Sequence, residues 1–299
     1  MRLVPVSELK LDTKIAMDIR DEHHNLLITK DHLVNPQNLQ RLRNSKVAAV
    51  YIKDKYCYNL DISYTSDSNI MLEKVNILKT AIHNIIKGGD SGESIIAGVQ
   101  TVKSIVNELD DQKYGTRISY EPSKISITDE IEERTVYVAM MSSLLALKLG
   151  FSRQETYSIF LGALLRDVAA MVPVLGKTVN LNSRQHPAIG YNYIRENFDF
   201  PDEVARIILE HHELYNGSGY PNNLAGEAIY GGTRIISIIE TFYYINMISL
   251  EQGSRRIQED FKGLTIGLDP TYLKKFLNHT NVYAPDTLVR LTNGDVGVV

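Results

Sequence analysis

The chain has 299 residues, a formal net charge of −4 at pH 7 and one cysteine. This length suffices for two domains and a sizeable core. The weak negative charge gives no reason to expect nucleic acid or an anionic membrane as the main partner, and a single cysteine cannot form an internal disulfide. Charged or polar residues interrupt every apolar run, so we predict no membrane segment, no secretory signal and a cytoplasmic location.

Residues 1–60 are predicted to form a small α+β module, because short apolar pieces alternate there with turn residues. The segment NPQNLQRLRNSK (35–46) predicts a short helix, and VAAVYIK (47–53) predicts a strand. His23 and His24 fall between turn residues in DEHHN and are predicted to be solvated residues of a hairpin turn.

Helical periodicity dominates from Ser68 onward. Residues 61–124 are predicted to form a helical pair or linker, followed by a second domain, 125–299, that is a helical bundle. The tail APDTLVRLTNGDVGVV predicts a β-hairpin around its Asn-Gly turn. The predicted fold class is therefore mainly α. The helical patterns of the second domain lie at about 129–149, 154–171, 184–197, 201–214, 232–250 and 270–279.

Residues 211–221 read HHELYNGSGYP and contain the most informative motif of the chain. The preceding residues predict a helix that begins at Pro201 and places His211 and His212 on its buried face. A single buried histidine is more often a hydrogen-bonded core residue. Two adjacent histidines before a glycine-rich turn favour a metal site, because neutral imidazole is a preferred ligand of transition metals.

These residues resemble the HD-GYP domains, bacterial members of the HD phosphohydrolase superfamily that hydrolyse cyclic di-GMP. HPAIG at 186–190 and LLRDVAA at 164–170 support the motif, and the resemblance covers about residues 125–299. The N-terminal module also looks like the small domain often found ahead of HD-GYP domains. The resemblance implies a five-helix core in which histidines and carboxylates hold two or three iron or manganese ions that activate a water molecule against a phosphodiester.

The resemblance assigns four surviving metal ligands, of which the carboxylate is also the candidate catalytic residue if hydrolysis persists. They are Asp167, His186, His211 and His212. It also implies that the intact GYP loop can contact diguanylate cyclase (GGDEF) domains. The loop residues assigned to this contact are Gly217, Gly219, Tyr220 and Pro221.

Several functional positions of the family are substituted in this chain. Arg134 stands where the family has its first histidine ligand, Arg166 replaces the histidine of the His-Asp pair, and Glu240 replaces a late aspartate ligand. Arginine offers no lone pair to a metal. We therefore predict at most one transition-metal ion (Fe, Mn or Zn), with Glu240 and Glu130 as further candidate carboxylates. Other departures fall at Ala170, Tyr243, Ser249 and Gln252.

The two arginines are predicted to form an ionic cluster that takes the place of the lost metal charge. Arg134 and Arg166 would pair with Glu130, Glu240 or Asp167, because an unpaired charge in a low-dielectric interior is strongly unfavourable. The alternative is that both arginines extend into solvent and leave the cleft open.

Three functions from different classes remain open. The favoured one is a degenerate HD-GYP protein of bacterial cyclic di-GMP signalling that is catalytically inactive and acts through protein contacts or nucleotide sensing. The alternative is a weak or altered cyclic di-GMP phosphodiesterase that uses a single metal site. The third is a structural or homodimerising helical module without a ligand.

Overall fold

The computed structural model describes most of the N-terminal module, most of the helical domain and the C-terminal hairpin. The predicted loop after residue 112, together with His23, His24 and Glu130, lies outside the described residues. The described residues are 2–20, 26–45, 47, 49–57, 92–112, 131–171, 179–252, 265–280, 288–291 and 293–298, with isolated positions 74, 77, 78, 80, 81, 84 and 263.

The N-terminal module is α+β, as predicted. Strand β1 (Arg2–Pro5) pairs antiparallel with β5 (Ala49–Lys53), which also pairs with β2 (Lys14–Ile15) in a three-stranded sheet. Strands β3 (Ile19–Arg20) and β4 (Leu26–Ile28) form a second, two-stranded sheet. The module has a hydrophobic core of its own that is separate from the core of the helical domain.

Helix α1 (Pro36–Asn44) begins where the sequence predicts it, because its start is encoded locally. The side chain of Asn35 accepts a hydrogen bond from the Asn38 amide at 2.8 Å, and Pro36 occupies the first turn, where no backbone donor is needed. Leu42, on the inner face of this helix, is fully buried.

The helical domain is built on one large apolar core. Its helices are α2 (Gly92–Gln112), α3 (Ile131–Leu149), α4 (Arg153–Leu165), α5 (Val168–Met171), α6 (His186–Asn197), α7 (Asp202–Glu210), α8 (Gly231–Gln252) and α9 (Pro270–His279). Helix α3 packs between α4 and α8, and α7 packs against α4 and α6. These packings bring the ends of α4, α6 and α7 to one region of the domain.

The predicted continuous helix over 154–171 is wrong, because two residues interrupt it. Helix α4 begins with a capping box between Ser152 and Glu155, and the chain turns at Arg166 and Asp167 before α5. The Arg166 guanidinium donates from Nη1 to the carbonyl of Ala163 at 2.6 Å. A side chain thus satisfies one of the carbonyls that a helix end leaves without a backbone partner.

The predicted helix over 201–214 is also too long. Helix α7 begins at Asp202, with Pro201 in the capping position, and ends at Glu210, so the two histidines lie in the turn that follows. His211 Nδ1 contacts the Ile208 carbonyl at 2.8 Å, again replacing a backbone donor at a helix end.

The C-terminal hairpin is confirmed, with β6 (Leu288–Arg290) antiparallel to β7 (Val296–Val298). The predicted boundaries near residues 60 and 124 fall in stretches outside the described residues and stay predictions. Within the described part of the chain, no helix combines the length and the apolar character needed to cross a membrane.

Candidate metal centre

The four residues assigned as metal ligands come together from three turns and helix ends. Asp167 lies in the turn between α4 and α5, and His186 is the first residue of α6. His211 and His212 follow α7 directly. Asp167, His186 and His211 are buried, whereas His212 is half-buried and provides the side of the site that faces outward.

Three imidazoles converge on one point. His186 Nε2 lies 3.0 Å from His211 Nε2 and 3.2 Å from His212 Nε2. Metal–imidazole bonds of about 2.0–2.1 Å place neighbouring ligand atoms roughly 2.8–3.4 Å apart in octahedral or tetrahedral shells. The spacing of the three nitrogens therefore suits a single transition-metal ion.

The hydrogen bonds of two of these imidazoles fix which nitrogen carries the lone pair. His186 Nδ1 contacts the Ser183 carbonyl and His211 Nδ1 contacts the Ile208 carbonyl, both at 2.8 Å. A carbonyl oxygen only accepts, so each Nδ1 must be the donor and each neutral ring has its lone pair on Nε2. Two lone pairs 3.0 Å apart repel each other, and a shared cation removes this repulsion.

The electrostatics of the site keep the imidazoles available as ligands. Burial, followed by the charge of His211, lowers the pKa of His186 below its ordinary value. Burial, with the charges of His211 and His186, lowers the pKa of His212 to about 3. Neutral imidazole is the form that binds a metal, so neither ring needs to lose a proton first near neutral pH.

Asp167 connects the histidines to the two arginines. Its Oδ1 lies 3.7 Å from His186 Nε2 and 3.6 Å from His211 Nε2. Its Oδ2 lies 3.3 Å from Arg134 Nη2 and 3.5 Å from Arg166 Nε. Burial alone would raise the pKa of Asp167, but the charge of Arg166, supported by the charge of Arg134, outweighs burial and lowers it.

Arg166 is fully buried, and its guanidinium is held from two sides. Nε donates to Glu240 Oε1 at 2.6 Å and Nη1 donates to the Ala163 carbonyl. The predicted ionic cluster with Glu240 and Asp167 is therefore confirmed, and the alternative of both arginines in bulk solvent is wrong. Arg134 is the more open member, with 30% of its side chain exposed.

The comparisons with known proteins agree with this geometry. Residues 131–255 match the family model described as HD domain. This stretch is similar to HD domains. The cyclic di-GMP phosphodiesterase response regulator RpfG of Xanthomonas campestris is 37% identical over 125 residues, 38% of this chain and 32% of that protein. Cyclic di-GMP phosphodiesterase PA4108 of Pseudomonas aeruginosa is 28% identical over 155 residues, 46% of this chain and 36% of that protein.

A solved structure with the same fold covers more of the chain. Bd1817, an HD-GYP protein from Bdellovibrio bacteriovorus, superposes with a TM-score of 0.55 at 19% identity, over 92% of this chain and 98% of that one. The resemblance to HD-GYP domains is confirmed. The chain spans about a third of the length of the two phosphodiesterases it matches.

The HD domain family is metal-dependent, and the histidine cluster provides the donor atoms for such an ion. Of the two additional candidate carboxylates, Glu240 bonds to Arg166, and Glu130 lies outside the described residues. The structure thus brings together the three histidines, Asp167, both arginines and Glu240, which come from separate stretches of the sequence.

The GYP loop of the HD domain lies directly over His212. Gly217 adopts a φ of +79°, a conformation that favours glycine. The Tyr220 ring stacks on the His212 ring with centroids 4.7 Å apart, and the Arg184 guanidinium lies 4.9 Å from the centre of the Tyr220 ring. The sequence assigned Tyr220 and Pro221 to partner contact alone.

Sequence reasoning missed Glu213 and Arg184. Glu213 is buried with 1% exposure and accepts hydrogen bonds from loop amides. A signal for Glu213 was present, since a charged residue directly after two buried histidines needs donors nearby. No pattern in the sequence places Arg184 beside Tyr220.

Proposed function

We propose that this chain is an HD-GYP-type protein of cyclic di-GMP signalling that binds one metal ion through Asp167, His186, His211 and His212. In this proposal it does not hydrolyse cyclic di-GMP at an appreciable rate, and it acts as a regulator through protein contacts or nucleotide sensing. One observation carries the proposal. Asp167 Oδ2 faces the guanidinium groups of Arg134 and Arg166, which stand where the family has histidine ligands and offer no lone pair to a second metal ion.

A guanidinium can replace the charge of a metal ion but not its chemistry. It stays protonated and has no empty orbital for a water molecule, so it cannot lower the pKa of a nucleophilic water. Arg166 is also fixed by Glu240 and the Ala163 carbonyl, which leaves its Nε and Nη1 committed within the protein. A bound metal ion would supply Lewis-acid polarisation at the histidines only.

We favour protein contact over nucleotide sensing as the way in which this chain regulates, because the GYP loop presents polar atoms at the surface. Asn216 and Ser218 are exposed at the tip of this loop. A GGDEF domain is the partner class that we propose, by analogy with the family, and cyclic di-GMP is a weaker ligand because the family's phosphate-binding Arg and Lys positions are Ser249 and Gln252 here. We further propose a cytoplasmic location, where both partners would be present, and a homodimer as its assembly.

A second candidate is a weak phosphodiesterase that uses the single metal site. It is favoured by the half-buried position of His212, which leaves one side of the histidine cluster accessible to a substrate. Two relatives of the chain are named as cyclic di-GMP phosphodiesterases. A single metal ion can still activate water. The measured rate of cyclic di-GMP hydrolysis therefore distinguishes this candidate from the first.

Elemental analysis of the purified chain, paired with a cyclic di-GMP hydrolysis assay in added Mn²⁺ or Fe²⁺, tests the proposal. We expect at most one metal ion per chain, no metal in a His186→Ala variant and no turnover in either protein. Binding of a purified GGDEF domain to the parent and to a Tyr220→Ala variant tests the contact. Two metal ions per chain, or turnover at ordinary enzyme concentration, would contradict the proposal and favour the phosphodiesterase.

A further inference from the structure

The loop that follows His212 folds back on the histidine that begins it. The Tyr220 amide donates to the His212 carbonyl at 3.1 Å, and the Gly226 amide donates to the Tyr215 carbonyl at 2.9 Å. The chain passes so closely at Gly219 that a Cβ there would lie 2.5 Å from the His212 carbonyl oxygen. The loop is thus anchored to the backbone of His212 itself.

Glu213 braces this loop from the inside. One carboxylate oxygen accepts from the Asn222 amide at 2.6 Å, and the other accepts from the Leu224 amide at 3.0 Å. Both amides belong to the half of the loop that follows Tyr220. Because the carboxylate is buried, these bonds replace its hydration and fix the loop backbone relative to helix α7.

The loop in turn supports the ring of His212. His186 and His211 are oriented by carbonyl contacts from Nδ1, and within the described residues no carbonyl contact of that kind is found for His212. The Tyr220 ring stacks on His212 at an interplanar angle of 18°. The orientation of the His212 imidazole toward the other two rings therefore depends on where the loop holds Tyr220.

We propose that Glu213 is a positioning residue that sets His212 as a metal ligand by bracing the loop that carries Tyr220. This inference rests on the metal site of the proposed function. It adds that the metal site and the exposed GYP loop are structurally coupled. Binding of a metal ion therefore stabilises the loop conformation that a partner protein contacts.

A glutamate three residues earlier provides a matched control. Glu210 is also buried and also accepts two hydrogen bonds, from Arg206 Nε at 2.5 Å and from the Tyr230 amide at 2.8 Å. Arg206 lies in α7 itself and Tyr230 directly precedes α8, so neither partner is one of the loop amides that Glu213 binds. Glu213→Gln and Glu210→Gln each replace one accepting oxygen with an amide donor, so they impose the same chemical change on different partners.

Cobalt binding to the intact 299-residue chain measures the position of His212 directly, because the visible spectrum of Co²⁺ reports its ligands. We expect Glu213→Gln to lower Co²⁺ affinity about 10–100-fold, as loss of an outer-shell partner does, and to change the spectrum. Glu210→Gln should bind Co²⁺ like the parent. Hydrogen exchange of the Asn222 and Leu224 amides should slow when Co²⁺ binds the parent.

Each outcome decides the inference. Equal Co²⁺ binding by the two variants, or amide exchange that is indifferent to Co²⁺, would overturn the role of Glu213 and leave the metal site intact. A parent chain that binds no Co²⁺ would overturn the metal site, and this inference with it. If Glu213→Gln does not fold by circular dichroism, Glu213→Asp replaces it, because aspartate keeps the charge but withdraws the carboxylate by one methylene.

Discussion

Removing the buried guanidinium of Arg166 should destabilise the HD domain more than removing any exposed arginine. Its side chain has no solvent exposure and lies against Glu240 Oε1, the Ala163 carbonyl and, at 3.5 Å, Asp167 Oδ2. Arg166→Ala would leave the buried carboxylate of Asp167 with Arg134, at 3.3 Å, as its remaining arginine partner. Breaking a buried charge pair in this way costs about 3–5 kcal/mol.

We expect the Arg166→Ala variant to lose stability in the lower half of this range of about 3–5 kcal/mol. The Glu240 side chain is 27% exposed, so water can solvate part of its charge once the arginine is gone. Arg134 still neutralises part of the Asp167 charge. For a domain of this size, a loss of about 3–4 kcal/mol corresponds to a decrease in Tm of roughly 6–16 °C.

Urea unfolding at pH 7 in the presence of a chelator measures the effect without a contribution from bound metal. Arg153→Ala is the control, because Arg153 also pairs with two carboxylates, Asp110 and Asp111, but its side chain is 53% exposed. The control should lose little stability, because ion pairs on the surface contribute little. Equal losses in Arg166→Ala and Arg153→Ala would refute the reasoning that the buried cluster is a structural replacement for a metal ion.

Three further outcomes are expected. The double variant Arg134→His and Arg166→His should raise the metal content, measured by elemental analysis, toward two ions per chain, because it restores two lone-pair donors beside Asp167. An unchanged metal content would show that other substitutions prevent binding at the second site. With a chelator present, the free energy of unfolding should fall as the pH is lowered from about 6.5 toward 3, because the pKa of His212 in the folded state is about 3, so the unfolded state binds a proton first. The His212→Asn variant should show a weaker pH dependence in urea unfolding. Gly219→Ala should displace the loop and weaken Co²⁺ binding, because its Cβ would meet backbone atoms, whereas Gly92→Ala, which meets nothing within 4 Å, should bind like the parent.

The sequence alone determined the family, the class of fold and several element boundaries. Helix α9 spans Pro270–His279, as predicted, because its start is set by local signals: the side chain of Asp269 accepts from the Thr271 and Tyr272 amides, and a proline follows it. The C-terminal hairpin follows from an Asn-Gly turn in the same way. Such signals act over a few residues, so the sequence contains them directly.

Tertiary structure decided the two helix ends on which the site depends. The periodicity of residues 154–171 and 201–214 continues through both breaks, so a pattern of apolar positions cannot locate them. Each break is stabilised by a side chain that replaces a backbone donor, Arg166 on Ala163 and His211 on Ile208. The two breaks bring Asp167 and His211 together, with Asp167 Oδ1 at 3.6 Å from His211 Nε2.

Tertiary structure also decided which partners the buried charges take. Arg166 and Glu240 are 74 residues apart, and the sequence left Glu130, Glu240 and Asp167 as equal choices. The packing of α3 against α4 and α8 selects among them, because a buried guanidinium pairs with whichever carboxylate the packed helices bring within hydrogen-bond distance. The family resemblance thus assigned the candidate ligands, and long-range packing decided which carboxylates pair with the two arginines.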